Sequence, residues 1–144
     1  MATYNKHQDY AEQLNKAVHN WSSHTFKAVF CNTAPVVTNS VLADLTQISS
    51  AGGYTAGAGG GVTLDTVTLT EASGTAKVTI ADEVFTATGA SVGPLRYVDI
   101  YNDTPTSPAD PLVCFFDYGS AITLLDTESL TIDFDATNGL WQFV

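Results

Sequence analysis

The sequence predicts a mainly β protein, an antiparallel β-sandwich preceded by an N-terminal helix or arm. Roughly eight or nine short runs rich in Val and Thr follow one another from residue 25 to the C-terminus, and turn residues separate them. No segment repeats at a fixed period, which disfavours propellers and solenoids. The one strong helical pattern lies at the N-terminus.

The N-terminal segment carries the pattern of an amphipathic helix. Large side chains recur there every three or four residues, as on one helix face: His7, Tyr10, Leu14, Val18 and Trp21. We expect Asn5 to cap this helix and the helix to end near Asn20. The chain then divides into the helix or arm, residues 1–22, and a β-sandwich domain, residues 23–144. The apolar face can dock on its own domain or on a neighbouring subunit, and the first is favoured.

The next segments are short. Residues 25–31 carry apolar side chains on both faces and predict a strand that is covered on both sides. Residues 40–48 have helical spacing after the capping residue Ser40, which predicts a short helix. Residues 51–61 contain six glycines and predict a flexible loop. Within this loop Tyr54 is either an internal anchor or an exposed contact, and the anchor is favoured.

A proline-rich loop separates the two main β runs, residues 95–101 and 112–118. Pro105, Pro108 and Pro111 fix φ and lack backbone donors, so the loop is expected to stay outside the sheets. The three prolines therefore predict a stiff presentation loop. Residues 121–125 and 130–134 follow as two further strands joined by an acidic turn.

Arg96 is the only arginine in the chain and lies inside the first main β run. A half-buried arginine normally needs an acidic partner. Asp117 in the following run is the natural candidate, because a hairpin brings the two runs together. An internal pair that holds the strand register is favoured over a contact with another subunit.

The composition excludes several classes of partner. Fifteen Asp and Glu stand against five Lys and Arg, which gives a net charge of −10. The basic residues are scattered, so direct binding of DNA or RNA is not expected. No apolar run approaches the ~20 residues that span a bilayer, and the N-terminus lacks the apolar core of a signal peptide. We therefore expect synthesis in a cytoplasm, with Cys31 and Cys114 as buried, reduced thiols.

No group of residues predicts a cofactor. His7, His19 and His24 do not share one helix face, and solvated surface histidines are favoured over zinc ligands. Asp133 and Asp135 stand before an Asn-Gly turn and could offer oxygen atoms to calcium. Charges that protect an edge strand explain the same two residues, and this explanation is favoured.

No group of residues predicts catalysis either. The serines lack the strand–turn–helix context of a hydrolase nucleophile. Cys114 has no basic neighbour in sequence that would activate a thiol. We therefore expect no catalytic residue, no cofactor and no metal ligand.

Three stretches carry a resemblance to a known family. They are ATYNK at residues 2–6, DLTQI with GYTAG at residues 44–48 and 53–57, and RYVDIYNDTPTSPADPL with CFFDYGS within residues 96–120. In this order they resemble small structural proteins from the head modules of tailed bacteriophages, over nearly the whole chain. The resemblance implies a capsid decoration (cement) protein or another accessory virion protein. With the strand count, it also implies a jelly-roll topology.

The function implied by the resemblance is non-enzymatic. The protein would be made in the host cytoplasm and would stabilise the outer surface of the capsid in the virion. Its partners would be the major capsid protein and other copies of itself, as dimers or trimers, with no nucleic acid and no membrane. The candidate contact residues are the following: Tyr4, Tyr10, Leu14, Val18, Trp21 and Tyr54.

Two other functions compete with capsid decoration. One is a tail- or fibre-associated protein that binds a host receptor or glycan, with Trp141 as a residue on which sugars stack. The other is a carbohydrate hydrolase on a jelly-roll scaffold. The hydrolase is disfavoured because the sequence offers no convergent pair of acids with a base.

Overall fold

The computed structural model describes residues 2–144, and this part of the chain is mainly β. One short helix, α1 (Tyr10–Asn15), and one turn of 3-10 helix (Leu42–Asp44) accompany ten strands. The strands are β1 (Thr3–Lys6), β2 (Phe26–Cys31), β3 (Val62–Thr63), β4 (Thr68–Ala72), β5 (Thr75–Thr79), β6 (Glu83–Thr86), β7 (Val92–Asn102), β8 (Leu112–Leu124), β9 (Ser129–Ile132) and β10 (Trp141–Phe143). The predicted mainly β class is confirmed.

The strands form three antiparallel sheets. The largest has the order β1-β8-β7-β2-β3, and the smaller ones have the orders β10-β5-β4 and β6-β9. One face of the large sheet shares a single core with both smaller sheets, as in a β-sandwich. Aromatic pairs mark this contact, among them Phe30 with Phe85 at 5.3 Å and Phe116 with Phe134 at 6.1 Å between ring centroids. The jelly-roll topology stays a prediction.

The two longest strands, β7 and β8, form the centre of the large sheet. Tyr97 pairs with Asp117 and Ile100 with Cys114. The two predicted runs at residues 112–118 and 121–125 are one continuous strand, which passes through Gly119 at a φ of 94°. Residues 103–111, which contain the three prolines, lie between the two strands and outside both of them, as predicted.

The predicted N-terminal helix is mostly wrong. Residues 3–6, which include the predicted N-cap Asn5, are instead strand β1, because pairing with β8 gives their inward backbone groups hydrogen-bond partners. The helix begins after Asp9 rather than Asn5, and Ala17 with a φ of 59° follows its end. The stripe itself is still apolar and inward, since Tyr10 and Trp21 are each 3% exposed.

The predicted helix over residues 40–48 is also wrong beyond a single turn. The Asp44 carboxylate accepts hydrogen bonds from the amides of Ser40 at 2.9 Å and Val41 at 3.2 Å, and this fixes the turn. Leu45 then returns to an extended conformation. Leu42 packs on the outer face of the large sheet, where it forms a second apolar cluster with Val29, Tyr101 and Leu112. The large sheet is therefore covered on both faces around β2, as predicted for residues 25–31.

Candidate assembly surface

Three of the predicted contact residues lie in the core instead of on the surface. Tyr10, Trp21 and Tyr54 are each 3% exposed. Trp21 stacks on Phe26 with 3.7 Å between ring centroids, and its Nε1 donates to the Tyr10 hydroxyl at 2.9 Å. These side chains hold the N-terminal segment to its own domain. In this conformation they are not available to another subunit.

Tyr54 anchors the glycine-rich loop. Its hydroxyl accepts a hydrogen bond from the Phe30 amide at 3.0 Å and donates to Gln47 Oε1 at 3.0 Å. Its ring stacks on Phe30 with 4.9 Å between centroids. The favoured interpretation of Tyr54 as an internal anchor agrees with this geometry.

Tyr4 is the predicted contact residue that remains exposed. Leu14 and Val18 are half-buried, and Leu14 packs against the main core. Tyr4 is 41% exposed and lies on β1, the terminal strand of the large sheet. Its ring meets Phe116 of β8 edge to face at 5.6 Å. Among the predicted contact residues, Tyr4 on β1 therefore has the most exposed side chain.

Arg96 and Asp117 form a bidentate pair within the chain. Arg96 Nε donates to Asp117 Oδ1 at 2.8 Å, and a second guanidinium nitrogen donates to Oδ2 at 2.9 Å. The guanidinium also lies 5.2 Å from the centre of the Tyr97 ring. Hydrogen bonds from Arg96 first, and then from the Gly119 amide, lower the pKa of Asp117. The side chains are 37% and 26% exposed, so the pair lies nearer the surface than expected.

A buried contact between His7 and Asp99 was not predicted, and the expectation that all three histidines lie on the surface is wrong. Both side chains are completely buried, and His7 Nε2 lies 2.9 Å from Asp99 Oδ2. Burial raises the pKa of Asp99 to about 6, and the hydrogen bond with His7 opposes that rise. The only hint in the sequence is the position of His7 on the apolar stripe, because its partner is 92 residues away.

The two other histidines lie beside Asn102. Asn102 Nδ2 lies 3.2 Å from His19 Nδ1 and 3.0 Å from His24 Nδ1, so the amide can donate to either ring. Burial, and then the charge of His24, lowers the pKa of His19 to about 4. Across residues 2–144, no group of three or more His, Cys, Asp and Glu side chains could hold a metal ion.

Both cysteines are free and completely buried. Burial raises the pKa of the Cys31 thiol to about 12 and that of Cys114 well above its usual value. Neither thiol is therefore poised to react as a thiolate in the folded protein. This agrees with the predicted buried thiols.

The structure reveals a surface feature that the sequence did not predict, an open groove between the two layers of the sandwich. It has a volume of about 780 Å³ and lies where β1 and β8 face β9 and the segment after it. We call it the open corner, and its lining residues are Ala2, Tyr4, Val98, Phe116, Tyr118, Ser120, Leu130, Thr131, Ile132, Asp133, Phe134, Asp135, Gly139 and Leu140. Tyr4 and Tyr118, 41% and 55% exposed, are aromatic side chains with large exposed surface at this groove.

The acidic residues of the open corner have different roles. Asp135 accepts hydrogen bonds from the amides of Thr137 and Asn138, both at 2.8 Å, and from the Asn138 side chain at 2.7 Å. Those bonds lower the pKa of Asp135 and fix the turn before β10. Its carboxylate therefore serves the local backbone, which agrees with a structural role. Asp133 is exposed and faces solvent at the groove.

Comparison with known proteins adds no assignment. No protein-family model matches the chain, and no curated protein or solved structure matches it. In the part of the chain that the structure describes, no helix has the length and apolarity required to cross a bilayer.

Proposed function

We propose that this protein is a non-enzymatic virion structural protein that decorates and stabilises the outer surface of a tailed-phage capsid. The open corner is the observation that supports this function best. It combines a terminal strand, an apolar groove and exposed tyrosines in one place, and exposed apolar surface and open sheet edges are features of protein–protein interaction sites. The motif resemblance over nearly the whole chain supplies the partner, the major capsid protein.

The electrostatics of the chain support an outer position. A net charge of −10 repels packaged DNA and leaves the protein soluble before assembly. Contacts in the shell would come from the open corner, where apolar side chains can be buried between subunits. Copies of the protein would meet on a symmetry axis of the particle as dimers or trimers.

The test is attachment to particles. Full-length protein is mixed with capsids that lack it and is then sedimented with them. We expect saturable binding at hundreds of copies per particle, and a matching copy number in virions. Binding to isolated tails instead, at a handful of copies, would contradict the proposal.

A second candidate function is recognition of a host receptor or glycan from the tail or a fibre. The exposed Tyr4 and Tyr118 beside Asp133 favour it, because aromatic faces and carboxylates suit sugar rings. Trp141, the residue expected to stack on sugars, is half-buried, and its Nε1 is enclosed without a hydrogen-bond partner. A glycan array probed with the full-length protein tests this candidate, and it requires binding that Tyr118→Ala abolishes.

A further inference from the structure

The outer edge of β1 is available for pairing along Tyr4 and Lys6, and it ends at Gln8, whose amide already donates to the Val37 carbonyl at 2.8 Å. The His7 amide donates to a β8 carbonyl at 3.1 Å, directly after the paired residues of β1. Hydrogen bonds to one neighbour alternate along an antiparallel strand, so Thr3 and Asn5 also direct their N–H and C=O groups to β8. The backbone N–H and C=O groups of Tyr4 and Lys6 therefore point away from β8 and out of the sheet. Within residues 2–144, β8 is the only strand that pairs with β1.

The groove lies on one face of the large sheet, beside β1. A strand added to the outer edge of β1 would place every second side chain on this same face. Ala2 and Tyr4, two residues apart, both line the groove. Side chains directly opposite each other on neighbouring strands lie on the same face of a sheet. Alternate side chains of a strand added to β1 would therefore enter the groove. They would meet an apolar floor, since Ile132, Phe134 and Leu140 are 7%, 5% and 8% exposed.

The charge of the groove selects among possible strands. Asp133 and Asp135 line it, while no Lys, Arg or His does. The whole chain carries a net charge of −10, so the surrounding field has the same sign. An acidic segment would be repelled, and a basic one would be attracted and oriented.

We propose that the open corner binds an extended, basic segment of a partner protein, which pairs as a strand with β1 and inserts alternate apolar side chains into the groove. Main-chain hydrogen bonds supply affinity in this mode, and the side-chain pockets supply specificity. The inference deepens the proposed function and rests on it for the partner, the capsid shell. The chemistry of the segment follows from the geometry and charge of the open corner alone.

The test uses defined peptides and the full-length protein. The probe is a blocked peptide of about seven residues, the length of an ordinary strand, in which lysine alternates with valine. Its matched control has glutamate in place of each lysine. In a heteronuclear NMR titration we expect the lysine peptide to shift the amides of Tyr4, Lys6 and Tyr118. The glutamate peptide should bind at least about tenfold more weakly.

Two pairs of variants distinguish main-chain strand pairing from non-specific binding of a basic peptide to an acidic surface. Lys6→Pro removes an outward amide but no bond to β8, whereas Lys6→Ala removes the same charge and keeps the amide. Loss of one hydrogen bond predicts roughly tenfold weaker binding for Lys6→Pro alone. Tyr118→Ala should weaken binding of the lysine peptide. Leu125→Ala is its matched control, because Leu125 is 58% exposed and Tyr118 is 55% exposed, and it should leave peptide binding unchanged. Leu125 does not line the groove.

Each outcome decides the inference. It is overturned if the lysine peptide does not bind, if the glutamate peptide binds equally, or if Lys6→Pro and Lys6→Ala bind equally. Glycan binding that depends on Tyr118, without peptide binding, would make the groove a sugar site and would also overturn it. If the protein binds the lysine peptide but does not bind capsids, the proposed function is contradicted and the inference about the open corner stands. If Lys6→Pro binds capsids as well as the wild-type protein does, the inference is overturned and the proposed function stands.

Discussion

The buried contact between His7 and Asp99 ties the N-terminal segment to the middle of the large sheet. Asp99 lies on β7, and His7 directly follows β1 at the edge of the same sheet. His7 Nδ1 and Asp99 Oδ1 are enclosed without hydrogen-bond partners, so the whole interaction is carried by one contact of 2.9 Å. Removing either partner leaves a buried polar group unpaired, which typically costs about 1–3 kcal/mol.

The stability of the protein should depend on the protonation of Asp99. Burial raises its pKa from 3.8 to about 6, so the folded state binds this proton more tightly than the unfolded chain does. Its contribution to the free energy of unfolding is present in full below pH 3.8 and is lost as the pH rises through about 6. Asp99→Asn keeps a polar side chain of the same shape at this position and does not titrate. Wild type should therefore lose up to about 3 kcal/mol relative to this variant between those pH values.

Urea denaturation at several pH values between 4 and 7 checks this expectation. Asp133→Asn, at an exposed carboxylate, is the matched control. A constant difference between wild type and Asp99→Asn across the range would show that the proton on Asp99 is not linked to folding.

Arg96 should matter less for stability than a buried ion pair would. The pair is partly exposed, so water screens it, and Asp117 keeps a hydrogen bond of 2.7 Å from the Gly119 amide when Arg96 is removed. We expect Arg96→Met to lower the melting temperature by roughly 2–4 °C. Thermal unfolding followed by circular dichroism measures the shift. A fall of more than about 10 °C would instead indicate a buried pair of the kind that the sequence suggested.

At the scale of elements, strand β1 forms an exposed edge of the large sheet, whereas helix α1 contributes Tyr10 to the core, so two truncations of different length should behave differently. Removing residues 1–20 would also remove His7, Tyr10 and His19 from the core, so the β-domain is not expected to stay fully stable without them. Removing residues 1–6 deletes only the edge strand. We expect the shorter truncation to melt cooperatively but to sediment poorly with capsids, while the longer one loses several kcal/mol of stability.

The glycine-rich loop should depend on a single hydroxyl group. Tyr54→Phe keeps the ring on Phe30 but leaves the buried Phe30 amide without its 3.0 Å acceptor. This should cost about 1–3 kcal/mol in the free energy of unfolding. Tyr118→Phe, at an exposed tyrosine, is the control and should be neutral. Equal denaturation midpoints for both variants would show that water replaces the lost contact.

The elements that the sequence predicted well are those with a local signal. The runs that became β2, β7 and β8 alternate or are continuously apolar, and prolines mark the loop between the last two. The N-terminal helix failed because an apolar pattern records which side chains are buried, whereas residues 3–6 are held by backbone pairing with a strand more than a hundred positions away. The same distance hid the contact of His7 with Asp99. The open corner could not be predicted, because β1, β8 and β9 come together only in the sandwich.

At the scale of the whole molecule, the two cysteines report on the cooperativity of the fold. Cys31 lies on β2 and Cys114 on β8, on either side of the central strand β7, and both are fully buried. Because β2 and β8 each have a neighbouring strand on both sides and both thiols are fully buried, we expect the thiols to react with a thiol reagent only through global unfolding. We expect two reactive thiols in denatured protein without reductant, and equal, slow labelling rates in the native state. Mass spectrometry of the labelled peptides measures each rate separately. Faster labelling of Cys114 than of Cys31 would show that β1 separates from β8 without global unfolding.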